Sequence, residues 1–353
     1  MKRLTIKIKL VVSLLIVVTI YNSCEKNPIS SQPPKEVGPE WIIYTTKNSS
    51  LVDNRINTVY VDPTNIKWVG TDNGVSRFNK DNWLKIQKYV EFSVKGGTSR
   101  KVNAIVASKD GGIFYGLAGG GLRRSNQFAG VNSFTSYNYP TLSSDMVYSL
   151  ATDNQGHIWI GTGAGVTRFI PNASDPTTGN WRSYDSSSSI IPSEPIKCIT
   201  INNNDNSIWF GTYTLGVVSY DGDLDWNFSM PSDQPFPILA MGFTFGNVGW
   251  FGTYGDWAYK YIVSTNEWIQ YGDTSSGGNL PGYIVNAIAI DPSGVPWFGT
   301  NKGLTKLNGK TWDASNSPLP SNIVTSLAFD KKGNLWIGTA NGLAEFNEKG
   351  IVE

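Results

Sequence analysis

The chain has 353 residues, with 29 Lys+Arg against 28 Asp+Glu, one His and two Cys. This balance excludes the basic footprint of a nucleic-acid binder, and two cysteines exclude a disulfide-stapled scaffold. Aromatics at 12%, with 13 Trp and 37 Gly, suit many short strands joined by turns.

The chain opens with a charged segment (Lys2, Arg3, Lys7, Lys9) followed by an apolar run from Leu10 to Ile20. That run is short for a membrane span and reads as a targeting signal. It ends at Tyr21-Asn22-Ser23-Cys24, where a small residue directly precedes a cysteine. The pattern resembles a bacterial lipoprotein signal, although Tyr21 departs from the usual Leu. The resemblance implies cleavage before Cys24 and lipidation of Cys24, and several acyl chains together anchor stably. Loss of 1–23 leaves 25 Lys+Arg against 28 Asp+Glu. Residues 25–39 (EKNPISSQPPKEVGP) read as a flexible tether. The expected organisation is therefore 1–23 signal peptide, 24–39 tether and 40–353 folded domain. With Cys24 acylated, Cys198 has no intrachain partner and is expected as a buried free thiol.

From residue 66 onward one hairpin pattern recurs seven times: IKWVGTDNGVSRF (66–78), GIFYGLAGGGLRRS (112–125), HIWIGTGAGVTRF (157–169), SIWFGTYTLGVVSY (207–220), VGWFGTYGDWAYKY (248–261), VPWFGTNKGLTKL (295–307) and NLWIGTANGLAEF (334–346). The shared glycines, Gly70, Gly116, Gly161, Gly211, Gly252, Gly299 and Gly338, are spaced 46, 45, 50, 41, 47 and 39 residues apart. An all-strand unit of roughly 40–50 residues predicts a four-stranded propeller blade. A strand precedes each hairpin, starting with INTVYVD (56–62) and ending with VTSLAFD (324–330). It carries a column of small residues: Thr58, Ala104, Ser149, Cys198, Ala240, Ala287 and Ser326. Small side chains at one fixed position suit the crowded innermost strand. An outer strand opening with an aromatic follows the first six hairpins, from NWLKIQK (82–88) to TWDASNS (311–317). Its missing seventh member is EWIIYTT (40–46), which must complete the last blade and leave no unpaired edge. The fold class is all-β, a seven-bladed β-propeller closed by strand 40–46.

The phrase D-x-x-G-x-φ-W-φ-G-T-x-x-G-L, best in DNQGHIWIGTGAGVTRF (153–169) and DKKGNLWIGTANGLAEF (330–346), resembles the two-component regulator propeller repeat. The resemblance implies a propeller that binds a ligand or partner, often as the periplasmic sensor region of hybrid histidine kinases in glycan-responsive systems. A stand-alone lipoprotein form without a kinase is expected here, so phosphorelay is not carried over. The repeat's Trp, Gly and Thr are structural, and the family supplies no catalytic residue to transfer.

Chemistry-bearing motifs are sparse. The one histidine, His157, stands in a repeat turn and is expected to be exposed. Gly116–Leu122 is glycine-rich but sits in a hairpin turn, out of context for phosphate binding. Asp221, Asp223 and Asp225 read as a solvated loop. The chain is expected not to be an enzyme, with no cofactor and no metal site. A carbohydrate-active lyase or hydrolase using distant carboxylates is the alternative.

In a propeller, the loops from outer strand to next inner strand share a face with the turns inside each hairpin. That face carries the variation, as in 89–101, 187–195 and 274–284. The hairpin turns depart from the consensus at Tyr213, Tyr254 and Trp257 in blades 4 and 5, a candidate stacking platform for sugars or a protein. Arg55, Arg100, Lys101 and Lys302 lie in loops of the same face and suit acidic groups. The expected partners are a glycan or protein ligand and, through the lipid, a membrane. A monomer at the cell envelope, anchored to the outer membrane, completes the expectation, with a role accessory to two-component sensing.

Overall fold

A computed structural model describes residues 40–351 apart from 80–81, 86–91, 95–96, 126–133, 223–225, 230–235 and 273–277. The signal peptide, Cys24 and the tether lie outside the described residues. Among the described residues there are seven four-stranded antiparallel sheets, each a blade. Their innermost strands are Ile56–Val61, Val102–Ala107, Val147–Thr152, Ile196–Ile201, Ile238–Thr244, Val285–Ile290 and Val324–Phe329, in blades 1 to 7. The hairpin cores follow outward at the expected positions. In blade 7 the outer strand is Trp41–Tyr44, paired with Gly342–Phe346 through Trp41↔Phe346 and Tyr44↔Leu343.

Two elements differ from expectation. The outer strand of blade 6 is only Thr311–Trp312, because Asp313 turns the chain by accepting hydrogen bonds from the backbone of Ser315 and Asn316. The loop 89–101 contains a two-stranded hairpin, Phe92–Val94 with Gly97–Ser99. It lies between the outer strand of blade 1 and the inner strand of blade 2.

Each residue of the repeat phrase has a physical role. The aspartate ends the inner strand. In blade 3, Asp153 Oδ1 accepts from the backbone N–H groups of Gln155 and His157, while Oδ2 accepts the Trp159 indole N–H at 2.9 Å. Asp62, Asp291 and Asp330 do the same for Trp68, Trp297 and Trp336. A buried indole N–H and two turn amides are thus satisfied by one carboxylate. The threonine ties the hairpin turn: Thr71, Thr162, Thr300 and Thr339 donate to the carbonyls of Gly74, Gly165, Gly303 and Gly342.

The shared glycine has the largest consequence. Behind it sits the first residue of the next blade's inner strand, always Val or Ile. These seven residues, Ile56, Val102, Val147, Ile196, Ile238, Val285 and Val324, are all 0% exposed. A Cβ at Gly338 of blade 7 would lie 2.7 Å from Ile56 Cγ2 of blade 1. The core is accordingly seven wedges between blades. One holds Ile56, Val59 and Val69 against Trp336 and Leu343, so blade 7 packs on blade 1. Burying each Val or Ile contributes about 1.5–3 kcal/mol.

A second regularity runs through the blades. The residue across from each core aromatic is cationic in five blades, and its charge lies over the ring at 5.4 Å for Arg77 on Trp68, 5.0 Å for Arg168 on Trp159 and 5.1 Å for Lys306 on Trp297. In blade 7 this position is Glu345, opposite Trp336. The cation comes instead from blade 1: Lys67 Nζ lies 5.2 Å from the Trp336 ring centre and 3.0 Å from Asp330 Oδ2. That ion pair is nearly dry, its side chains being 7% and 1% exposed. Glu345 accepts from Tyr44 Oη at 3.0 Å and from Asn334 Nδ2 at 2.9 Å. Burial pushes the Glu345 carboxyl above the usual range, and the nearby Asp330 adds to the shift against the lowering by Tyr44, Lys67 and Asn334.

Two outcomes follow for stability. Gly338→Ala is expected to cost about 1–3 kcal/mol in denaturant unfolding by overpacking Ile56. The pair Gly338→Ala/Ile56→Ala should cost less than the sum of its parts, and strict additivity would refute the contact. For Glu345, the folded state holds its proton more tightly than the unfolded chain. Its destabilising contribution is therefore absent below the unfolded pKa and grows as pH rises through the folded value. Glu345→Gln should raise the melting temperature at pH 7, and the gain should shrink as pH falls through the raised folded value and vanish below about 4.5; a constant difference would contradict this.

Candidate functional site

The inner strands start at the loop face, and all seven are irregular at the same place. The ladder skips one residue between Ile56 and Thr58, Val102 and Ala104, Val147 and Ser149, Ile196 and Cys198, Ile238 and Ala240, Val285 and Ala287, and Val324 and Ser326. The extra residue of a β-bulge is left unpaired and its side chain is re-aimed. Here these residues are Asn57, Asn103, Tyr148, Lys197, Leu239, Asn286 and Thr325. All seven line a cavity of about 440 Å³ in the central channel. The anchored Val or Ile before each bulge and the small residue after it hold the bulge in place. Several bulged residues also bind the next blade: Asn103 Nδ2 donates to Val147 O at 2.8 Å, Asn286 Nδ2 to Val324 O at 2.9 Å, and Thr325 Oγ1 to Ile56 O at 2.8 Å.

Lys197 differs from its neighbours in the ring. Its ammonium lies 3.7 Å from the centre of the Tyr148 ring and 5.4 Å from that of Tyr213. Burial holds it below the usual lysine range. It has no ion pair and no hydrogen bond among the described residues.

The residues singled out from the sequence fall into three groups. Tyr213 and Tyr254 stand out from the loop face, 46% and 58% exposed. Their turns are one residue longer than those of blades 1, 3, 6 and 7, since Thr212 and Thr253 donate to Gly216 and Trp257 four residues on. Trp257 replaces the glycine and takes φ 54° where Gly216 takes 76°. A left-handed backbone is costly for a tryptophan. It is held by Trp257 N donating to Tyr283 O at 3.0 Å, with the indole half-buried against the wedge of Trp250, Tyr271 and Phe298. Trp257 thus shapes the turn, and no ring contact joins it to Tyr213 or Tyr254 among the described residues. Tyr283, 45% exposed, is brought beside the blade 5 turn by the same bonds.

Arg55, Lys101 and Arg100 gather around the blade 1 turn. Arg55 Nε and Lys101 Nζ lie 3.3 and 3.4 Å from the Asp72 carboxylate, and Arg100 Nη1 donates to Asn73 Oδ1 at 3.4 Å. Asn57 Nδ2 donates to the same Asp72 at 3.0 Å. Lys302 stands apart on blade 6, 6.0 Å from the Tyr283 ring centre.

His157 is not an exposed turn residue. Its side chain is 13% exposed, with Nδ1 2.9 Å from Asp153 Oδ2 and 2.6 Å from Arg168 Nη2, at the end of the blade away from the loop face. Cys198 is free, and burial pushes its thiol up; Sγ donates weakly to Ile238 O at 3.5 Å. Asp223 and Asp225 lie outside the described residues. The bulged column, Tyr148 and Lys197 above all, escaped the sequence reading. In the sequence that column shows only as a variable, mostly polar position directly before the small-residue column.

Comparison with known proteins agrees with this architecture. Residues 141–164 and 318–341 match the family model of the two component regulator propeller, each covering an inner strand and the strand after it. No curated protein sequence matches the chain. The extracellular domain of a putative hybrid two-component system from B. thetaiotaomicron superposes with a TM-score of 0.71 at 21% identity, over 88% of this chain and 41% of that one. PorZ, a surface component of the type-IX secretion system of Porphyromonas gingivalis, gives 0.65 at 20% identity, over 85% and 47%. An inactive variant of virginiamycin B lyase from Staphylococcus aureus gives 0.67 at 14% identity, over 86% and 98%. The chain thus spans less than half the length of the first two structures. At these identities the likeness concerns the fold.

Proposed function

We propose that this chain, which carries two-component regulator propeller repeats in one seven-bladed ring, is an exported lipoprotein that binds a glycan through its loop face without transforming it. The observation that carries the reading is the exposure of Tyr213, Tyr254 and Tyr283, on the turns and loops of blades 4 to 6, beside a polar channel mouth. Tyrosine rings offer an apolar face for stacking and a hydroxyl for hydrogen bonding. Propellers of the same fold occur in extracellular domains of putative B. thetaiotaomicron sensors, which supports an envelope location and a role accessory to sensing or uptake. A binding role is further supported by the histidine, which is engaged by Asp153 and Arg168 at the opposite end of blade 3. A protein ligand is the second reading, favoured by Leu215 and Ile323, which are 41% and 47% exposed on the same face.

Screening the purified chain on a glycan array, then titrating the best ligand, tests the reading. Tyr213→Ala/Tyr254→Ala should lower affinity about tenfold or more with an unchanged melting temperature, since each stacked ring contributes on the order of 1 kcal/mol. Unchanged affinity would remove these tyrosines from the site, and turnover of the bound glycan would replace binding with catalysis. Separately, metabolic labelling with an alkyne fatty acid should mark the wild type and fail on Cys24→Ser, which should leave the membrane fraction; a labelled Cys24→Ser protein would refute lipidation at that residue.

A further inference from the structure

The channel mouth specifies more than a generic glycan, and this inference rests on the reading above. Its lining combines three features that select a ligand jointly. The first is a charge imbalance: Lys101 and Lys197 line the cavity, and no carboxylate lines it among the described residues. Lys101 is compensated by Asp72, whereas Lys197 is held only between the faces of Tyr148 and Tyr213. A half-buried ammonium without a counter-charge gains strongly from an incoming anion, because folding has already removed part of its hydration and the attraction acts in a lower dielectric than water. The nearest acidic residue in sequence, Glu194, is occupied: its carboxylate accepts from Thr214 N at 2.8 Å and from Thr214 Oγ1.

The second feature is acceptor capacity. Asn57, Asn103 and Asn286 each spend an amide N–H on Asp72 or on the next blade. Their amide oxygens accept from no protein group among the described residues, so they remain for donors from a ligand. The third feature is the aromatic wall of Tyr148 and Tyr213, on which a flat apolar face can stack. The bulges aim Asn57, Asn103, Tyr148, Lys197 and Asn286 at one cavity of about 440 Å³, within the range of small-ligand sites, and Tyr213 stands beside it, its ring centre 5.4 Å from the Lys197 ammonium.

We infer that the channel mouth binds a carboxylate-bearing sugar residue of an acidic glycan, its carboxylate on Lys197, its hydroxyls on the amide oxygens of Asn57, Asn103 and Asn286, and its ring against Tyr148 or Tyr213. An acidic peptide would satisfy the ammonium but would bring no row of hydroxyl donors for the three amide oxygens. A neutral sugar would satisfy the amides and leave the ammonium unpaired.

Calorimetric titration of the full chain tests this with named probes: oligomers of galacturonate, glucuronate and mannuronate, the same oligomers with carboxyl groups reduced to alcohols, and tetraglutamate. At least one uronate oligomer should bind ten times or more tighter than its reduced counterpart, and rising salt should weaken it. Lys197→Met, which keeps the aliphatic stem between the rings, should erase that difference without shifting the melting temperature, and Lys197→Arg should restore most of it. Equal binding of acidic and reduced oligomers, with loss of both in Tyr213→Ala/Tyr254→Ala, would overturn the inference and leave the glycan reading standing. Wild-type selectivity in Lys197→Met would overturn it as well. Tetraglutamate binding as tightly as the best uronate would reassign the mouth to acidic peptides. Failure of every oligosaccharide, acidic or neutral, would overturn both readings.

Discussion

The whole ring depends on one contact repeated seven times: a Val or Ile knob of one blade seated on a glycine of the blade before it. The knob is fully buried and the glycine cannot carry a Cβ there, as the closeness of Ile56 to Gly338 illustrates. Protein interiors tolerate little extra volume, so this position fixes the spacing between blades. Because the contact between blades 7 and 1 has the same form as the others, no blade is left with an open flank. Stability then resides in seven wedges between neighbours, as in other repeat folds where each unit contacts only the next.

The same contact positions the site. Seating the knob pins the first residue of each inner strand, and the ladder resumes only at the small residue two places on. The residue between is forced into a bulge and presented to the channel. The bulge itself does not depend on the identity of that residue, which is why the position holds Asn, Tyr, Lys, Leu and Thr, three of them (Asn103, Asn286 and Thr325) adding a hydrogen bond to the next blade. Structural constancy on one side of the strand permits chemical variety on the other. Blades 4 and 5 add variety by a second route, a one-residue extension of the hairpin turn that lifts Tyr213 and Tyr254 outward.

The architecture was legible because it is periodic. The Asp-to-Trp spacing, the glycine and the small-residue column each recur with the blade, and the structure assigns each a contact. The ends of the strands were less legible: 311–317 reads like its fellow outer strands, yet Asp313 captures its own downstream amides and stops the strand after Trp312. The site was half legible. Tyr213 and Tyr254 announce themselves by breaking the turn pattern, and both are exposed. Trp257 breaks it too, but its indole packs inward, since a sequence records that a glycine is missing and not where the replacement side chain goes. Lys197 stayed hidden for the opposite reason. It breaks no pattern, because its column has none, and the alternation of a regular strand gives no warning of a bulge.

The seam between the last and first blades shows how a repeat protein distinguishes its ends. In blades 1, 3 and 6 the cation over the core tryptophan is supplied from within the blade. Blade 7 carries Glu345 at that place and draws its cation, Lys67, from blade 1, while Tyr44 of the N-terminal strand donates to Glu345. Burying Lys67 with Asp330 and Glu345 is costly relative to an apolar contact, and removing Lys67 would strand the two carboxylates. That cost has a consequence for specificity. Behind blades 1, 2, 3, 5 or 6 the inner charge would meet an Arg or Lys of the preceding blade, and like charges would be forced together without water; behind blade 4 it would meet Ser219 and find no carboxylate partner at that position. Strand 41–44 is likewise matched only to blade 7, through the Tyr44–Glu345 hydrogen bond. The ionic seam therefore contributes less to total stability than to the choice of which two blades meet, a distinction that seven nearly equivalent apolar knobs cannot make.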